Sequence, residues 1–170
     1  MREKSVCFIG HRNINYTPEL RERINRLLYE LIEDGAVDFI FGDNSAFNDL
    51  CYDVVTELKE KYPEINRIHF RTSYENADEY TLRFLLAGYE KTICPKGVGS
   101  AGKASYIERN QAMIDESDIC IFYYNEKYLP PKRKYAEAAV ADRQPNSGTA
   151  IAYTYAVKKQ KKIINTYLAP

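Results

Sequence analysis

The sequence has no excess of either charge: 24 lysines and arginines balance 24 aspartates and glutamates over 170 residues. Composition therefore offers no electrostatic ground for general nucleic-acid or membrane-surface binding, although local basic spots stay open. Cysteine is sparse, and Cys7, Cys51, Cys94 and Cys120 show no C-x-x-C spacing. With two histidines far apart, a zinc site would need scattered pieces, so the thiols read as ordinary structural residues and no metal or cofactor is expected. No apolar run approaches a membrane span, and the short one after Met1-Arg2-Glu3-Lys4 cannot serve as a signal-peptide core. These absences point to a cytoplasmic protein. The length suits one domain that buries a core without disulfide staples.

What is present is an alternation of apolar runs with helical patterns. Ser5 to Ile9 is a continuous apolar run stopped by Gly10, as in a strand buried on both faces. A helix is predicted over 18–33, with Thr17 as N-cap, Pro18 in its first turn and Leu20, Ile24, Leu27 and Leu31 on one face; Gly35 ends it. Strand 37–41, a polar turn, a helix ending near Tyr62-Pro63 and strand 65–70 follow. This β-α-β-α-β order implies a parallel sheet with right-handed crossovers. Residues 71–103 are less regular, with an apolar-containing segment from Tyr80 to Tyr89 and a short strand candidate at Thr92-Ile93-Cys94.

Gly97 and Gly102-Lys103 share the G-x-x-x-x-G-K spacing of a phosphate loop, but Ala104 stands where a hydroxyl belongs and no strand leads directly into the loop. It reads as a connecting or ligand-covering segment. A polar-faced helix through Ile107 and Ile114 then delivers the chain into a buried strand at 119–124. The loop 125–146, with Pro130-Pro131 and Lys132-Arg133-Lys134, has the length of a lid or binding loop, and its basic run reads first as solvated surface. Ser147-Gly148-Thr149 opens a last helix, and 161–165 closes the sheet. The expected fold class is α/β, a Rossmann-like three-layer sandwich with a mainly parallel central sheet.

In an open parallel sheet, ligands meet the C-terminal ends of the strands, where helix N-termini favour anions. Gly10-His11-Arg12, Gly42-Asp43-Asn44-Ser45, the helix carrying Arg109 and Asn110, and Ser147-Gly148-Thr149 should converge there. Arg109 or Arg12 can hold a phosphate through two parallel N–H bonds, and glycines let a ligand approach the backbone. Each has a plainer alternative: Ser147 as an N-cap only, His11 as a loop hydrogen-bonder, Arg109 in an ion pair with Glu108 or Asp115.

Taken together, Phe8-Ile9-Gly10-His11-Arg12, the glycine-initiated turn with Phe47-Asn48, Glu108-Arg109-Asn110-x-x-Met113 with Ser117-Asp118, and Ser147-Gly148-Thr149-Ala150 resemble the SLOG superfamily. That superfamily unites the SMF/DprA DNA-processing proteins with the cytokinin-activating LOG hydrolases. The chain looks closest to bacterial members with a Gly-His-Arg motif after the first strand. The resemblance implies a Rossmann-like fold with a nucleotide or nucleotide-derived ligand at the strand ends. Arg109 matches the LOG arginine and Gly148-Thr149 the LOG Gly-Thr, but Ala152 stands where LOG hydrolases have glutamate. Asn48 likewise stands where an aspartate is expected, and Asp43-Asn44 replace small residues.

The function expected is therefore nucleotide binding as a sensor or accessory protein, through Gly10, His11, Arg12, Gly42, Asp43, Asn44, Ser45, Asn48, Arg109, Asn110, Ser147, Gly148 and Thr149. The alternatives are a LOG-like phosphoribohydrolase, with Arg109, Glu108 and Asp43 as catalytic candidates, and an SMF/DprA-like DNA-processing accessory. Zero net charge and the lack of an added DNA-binding domain count against nucleic acid as a partner. The expected partner is a nucleotide-like small molecule, no membrane is expected, and a homo-oligomer stays open.

Overall fold

The computed structural model describes residues 2–42, 45–72, 78–99, 102–130 and 147–170. Within them, six strands form one sheet and five helices flank it: β1 Lys4–Gly10, α1 Pro18–Glu33, β2 Ala36–Phe41, α2 Ala46–Lys61, β3 Asn66–Phe70, α3 Glu79–Gly88, β4 Lys91–Ile93, α4 Lys103–Glu116, β5 Ile119–Tyr123, α5 Gly148–Lys158 and β6 Lys162–Asn165. The strand order is β4-β3-β2-β1-β5-β6, and every pairing is parallel. The chain walks outward from β1 in one direction as far as β4, then crosses back to β5 and β6. Between β1 and β5 the order reverses, which makes that gap the topological switch point of a Rossmann-like fold.

β1 shows how sequence becomes layers. Successive side chains of a strand point to opposite faces. Val6 and Phe8 accordingly enter a core with Leu20, Ile24 and Leu28 of α1 and Phe47, Cys51 and Val54 of α2. Cys7 and Ile9 enter a second core with Met113 and Ile114 of α4 and Ala152 and Ala156 of α5. Each fully buried aliphatic or aromatic side chain contributes about 1.5–3 kcal/mol. Three of the cysteines, Cys7, Cys51 and Cys120, lie in these cores, while Cys94 is exposed.

The local signals act as their chemistry predicts. Thr17 caps α1, its hydroxyl accepting from the Leu20 N–H at 3.1 Å, and Gly35 takes φ 94° just beyond the helix. The start of β5 is fastened to β1 by Asp118, which accepts from the Ser5 N–H at 3.0 Å. The segment from Tyr80 to Tyr89, which the sequence left unassigned, largely coincides with α3, capped by Asp78. Its apolar residues show no single buried stripe, and none of its side chains is buried. No helix among the described residues is long and apolar enough to cross a membrane.

Candidate functional site

The strand ends bring the expected segments together in two pairs. The turn after β1 meets the start of α2: the Ala46 N–H donates to the Arg12 carbonyl at 2.9 Å. Ser45 caps α2, its hydroxyl accepting from the Asn48 N–H at 3.0 Å. Asn48 is buried, and its Oδ1 has no hydrogen-bond partner. Gly10 is glycine for packing, since a Cβ there would lie 2.3 Å from Cδ1 of Phe47. Arg12 itself is exposed.

The second pair joins the end of β2 to α4. Arg109 is fully buried, on one stripe with Ser105 and Met113 at four-residue spacing. The sequence suggested a polar-faced helix here, but α4 begins at Lys103 and the arginine faces inward. Its Nη1 donates to the Gly42 carbonyl at 3.3 Å, its Nη2 to Asn110 Oδ1 at 3.3 Å, and its guanidinium lies over the Tyr106 ring at 5.2 Å. His69 Nε2 is also 3.2 Å from that carbonyl. A Cβ on Gly42 would stand 2.8 Å from Arg109 Nε and 2.6 Å from Met113 Sδ, so this glycine admits the protein's own side chains. Arg109 is thus a cation embedded beneath the C-terminal end of β2.

Around these pairs, Glu108 accepts from the Gly99 N–H at 3.1 Å and so holds the glycine-rich loop against α4. Asp115 accepts from the Tyr155 hydroxyl. Gly97 and Gly102 both have positive φ, and three residues separate the end of β4 from Gly97. A phosphate loop would follow its strand directly. Asp43, Asn44 and Lys132-Arg133-Lys134 lie outside the described residues.

Ser147 caps α5, its hydroxyl accepting from the Ala150 N–H at 3.0 Å. Thr149 is buried, whereas a Cβ built on Gly148 would meet nothing within 4 Å. Among the described residues, nothing therefore crowds the first turn of α5 at Gly148. Ala152, at the position of the LOG glutamate, is packed in the second core. No carboxylate projects from that position.

The sequence did not single out a cavity of about 460 Å³ on the α1 side of the switch point. His11, Asn13, Asn15, Tyr123, Asn125 and Tyr128 contribute to its wall. His11 is 1% exposed and stacks on Tyr128 with ring centroids 3.9 Å apart. Its Nε2 accepts from the Asn125 N–H at 2.9 Å, which leaves the ring proton on Nδ1, and burial lowers its pKa below the usual histidine value. That Nδ1 is buried without a hydrogen-bond partner. The visible signal was Tyr123-Tyr124-Asn125 at a strand end, where aromatic rings stop serving the core and start to line a surface.

The family model described as the YspA SLOG family matches residues 11–158. The chain belongs to this SLOG family. No curated protein matches it. Among solved structures, DNA processing protein A from Helicobacter pylori, described for its single-stranded DNA binding mode, shares the fold at TM-score 0.54 and 19% identity. The match covers 94% of this SLOG chain and 63% of that protein, so this chain spans less than two thirds of its neighbour. The finding corrects one expectation. A protein of this fold is described as binding single-stranded DNA, so a balanced charge total does not count against nucleic acid as a partner. Net charge averages over the whole surface, whereas a strand meets one crevice.

Proposed function

We propose that the protein binds a nucleotide or nucleotide-derived ligand by its phosphate at the strand ends, as a sensor or accessory protein. The observation that carries this reading is the first turn of α5, where Ser147 and Thr149 flank a Gly148 that opens onto free space. Free N–H groups and the helix dipole favour an anion there. The α2 N-terminus at Ser45 supports the same preference for an anion.

Thermal shift across nucleoside monophosphates, dinucleotides and cyclic nucleotides tests the reading. A ligand at 100 times its Kd stabilises by about 2.7 kcal/mol. Gly148→Asp places a carboxylate in the open space at little cost to the fold, because an acidic residue suits the first turn of a helix. It should remove the ligand-induced shift and leave the unliganded melting temperature within a degree or two of wild type. A full shift in Gly148→Asp, or none with any nucleotide in the wild type, refutes the assignment.

Single-stranded nucleic acid is the second reading, favoured by the shared fold with the DNA processing protein. Anisotropy of a labelled oligodeoxynucleotide separates it from the first, since mononucleotides would then compete only weakly.

A further inference from the structure

The cavity beside His11 has a chemistry different from that of an anion site. Its walls combine aromatic, amide and aliphatic groups: Tyr123, Tyr128 and Tyr167 supply rings, Asn13 and Asn15 supply groups that both donate and accept, and Leu20 and Leu168 add apolar surface. No aspartate or glutamate lines it. The one cationic side chain in the wall, Arg23, already donates to the Thr166 carbonyl at 2.5 Å. Such a lining gives an inorganic anion little and a cation no carboxylate partner, but it matches a flat, uncharged group edged with donors and acceptors.

Two further observations sharpen the match. Tyr123 and Tyr167 meet edge to face, with centroids 5.4 Å apart, so part of the wall is made of ring surfaces at fixed angles. His11, part of the wall, carries a buried Nδ1–H with no acceptor, the tautomer being set by the Asn125 N–H at Nε2. With its Nδ1 shielded from solvent, the ring serves as a fixed aromatic part of the wall rather than as a donor to the cavity. The volume of about 460 Å³ falls within the range of small-molecule sites.

We propose that this cavity binds a neutral planar nitrogen heterocycle of nucleoside size, stacked on its tyrosine rings and hydrogen-bonded by Asn13 and Asn15. The site does not depend on a phosphate at α5. Its test uses ligands without one: saturation-transfer NMR and calorimetry of the full chain with adenosine, guanosine, cytidine and uridine, with ribose as control. At least one nucleoside should receive saturation while ribose does not. Tyr128→Ala should weaken that nucleoside by at least about fivefold, the scale of one lost base–aromatic contact. Asn13→Ala should change the order of preference among the four bases. No transfer to any nucleoside at millimolar concentration, transfer to ribose as strong as to nucleosides, or equal affinity in wild type and Tyr128→Ala overturns the proposal.

Discussion

At the scale of the residue, the site is governed by what is buried rather than by what is exposed. Gly10 and Gly42 look like invitations to a ligand, yet each is filled by the protein's own side chains, Phe47 at one and Arg109 with Met113 at the other. At Gly148, by contrast, a Cβ would meet nothing within 4 Å among the described residues. His11 makes a prediction that can be read without any ligand. Burial keeps its folded pKa below the usual value, so the unfolded chain takes up a proton first as the pH falls. The stability contributed by the neutral ring is complete above about pH 6.5 and is lost as the pH falls through and below that value. Chemical denaturation between pH 7.5 and 5.5 should show falling stability in the wild type and a flatter profile in His11→Phe. The second histidine, His69, stays in both proteins and cancels in the comparison. A parallel pair of profiles would show that His11 does not titrate in this way.

Among the elements, α3 stands apart from the other helices. α1 buries Leu20, Ile24, Leu28, Leu31 and Ile32, while α3 buries none of its side chains, and Tyr80 and Phe84 are exposed. Its neighbour β4 has three residues and lies at one edge of the sheet. A ten-residue helix without a packed face is marginal by itself. Hydrogen exchange should therefore find the backbone amides of 79–88 opening first, with protection orders of magnitude below that of β1 and β5 at the centre of the sheet. Comparable protection in α3 and β1 would show that something other than side-chain burial holds this helix. The sheet edge nearby is tied instead by Arg67, which donates from Nη2 to Glu90 at 2.8 Å. Burial opposes the charged Glu90, but the Arg67 bonds outweigh it and hold its pKa below the usual range.

For the whole molecule, the reversal of strand order between β1 and β5 matters most, because it opens a crevice between two sets of helices. A neutral chain gathers no long-range field, so a bound strand would be held by a few local contacts. If single-stranded DNA binds, the logarithm of affinity should fall against the logarithm of salt by about 0.7 per phosphate contacted, giving a slope of magnitude about 1.5–2 for two or three contacts. A much steeper slope would mean a broader basic track than two or three contacts. A mononucleotide at α5 would give a slope at or below the low end of that range.

How much was legible differs by level, for a physical reason. Strand and helix are written in short-range periodicity, so 18–33 was placed as a helix to the residue, and β1 was recognised as a strand buried on both faces from its unbroken apolar run. Parallel pairing and the family also followed from sequence, because glycines and caps at strand ends are local features with local causes. The direction of Arg109 did not follow. Its neighbours Ile107 and Ile114 suggested one face, but the helix begins at Lys103 and the buried stripe runs through Ser105, Arg109 and Met113. Nor did the cavity beside His11, whose wall is assembled from the turn after β1, the end of β5 and the segment after β6. The sequence by itself determined which residues prefer strand, helix or turn, since those preferences act over a few residues. Tertiary structure alone decided which side chains share a cavity, because that depends on the order in which distant strands pair.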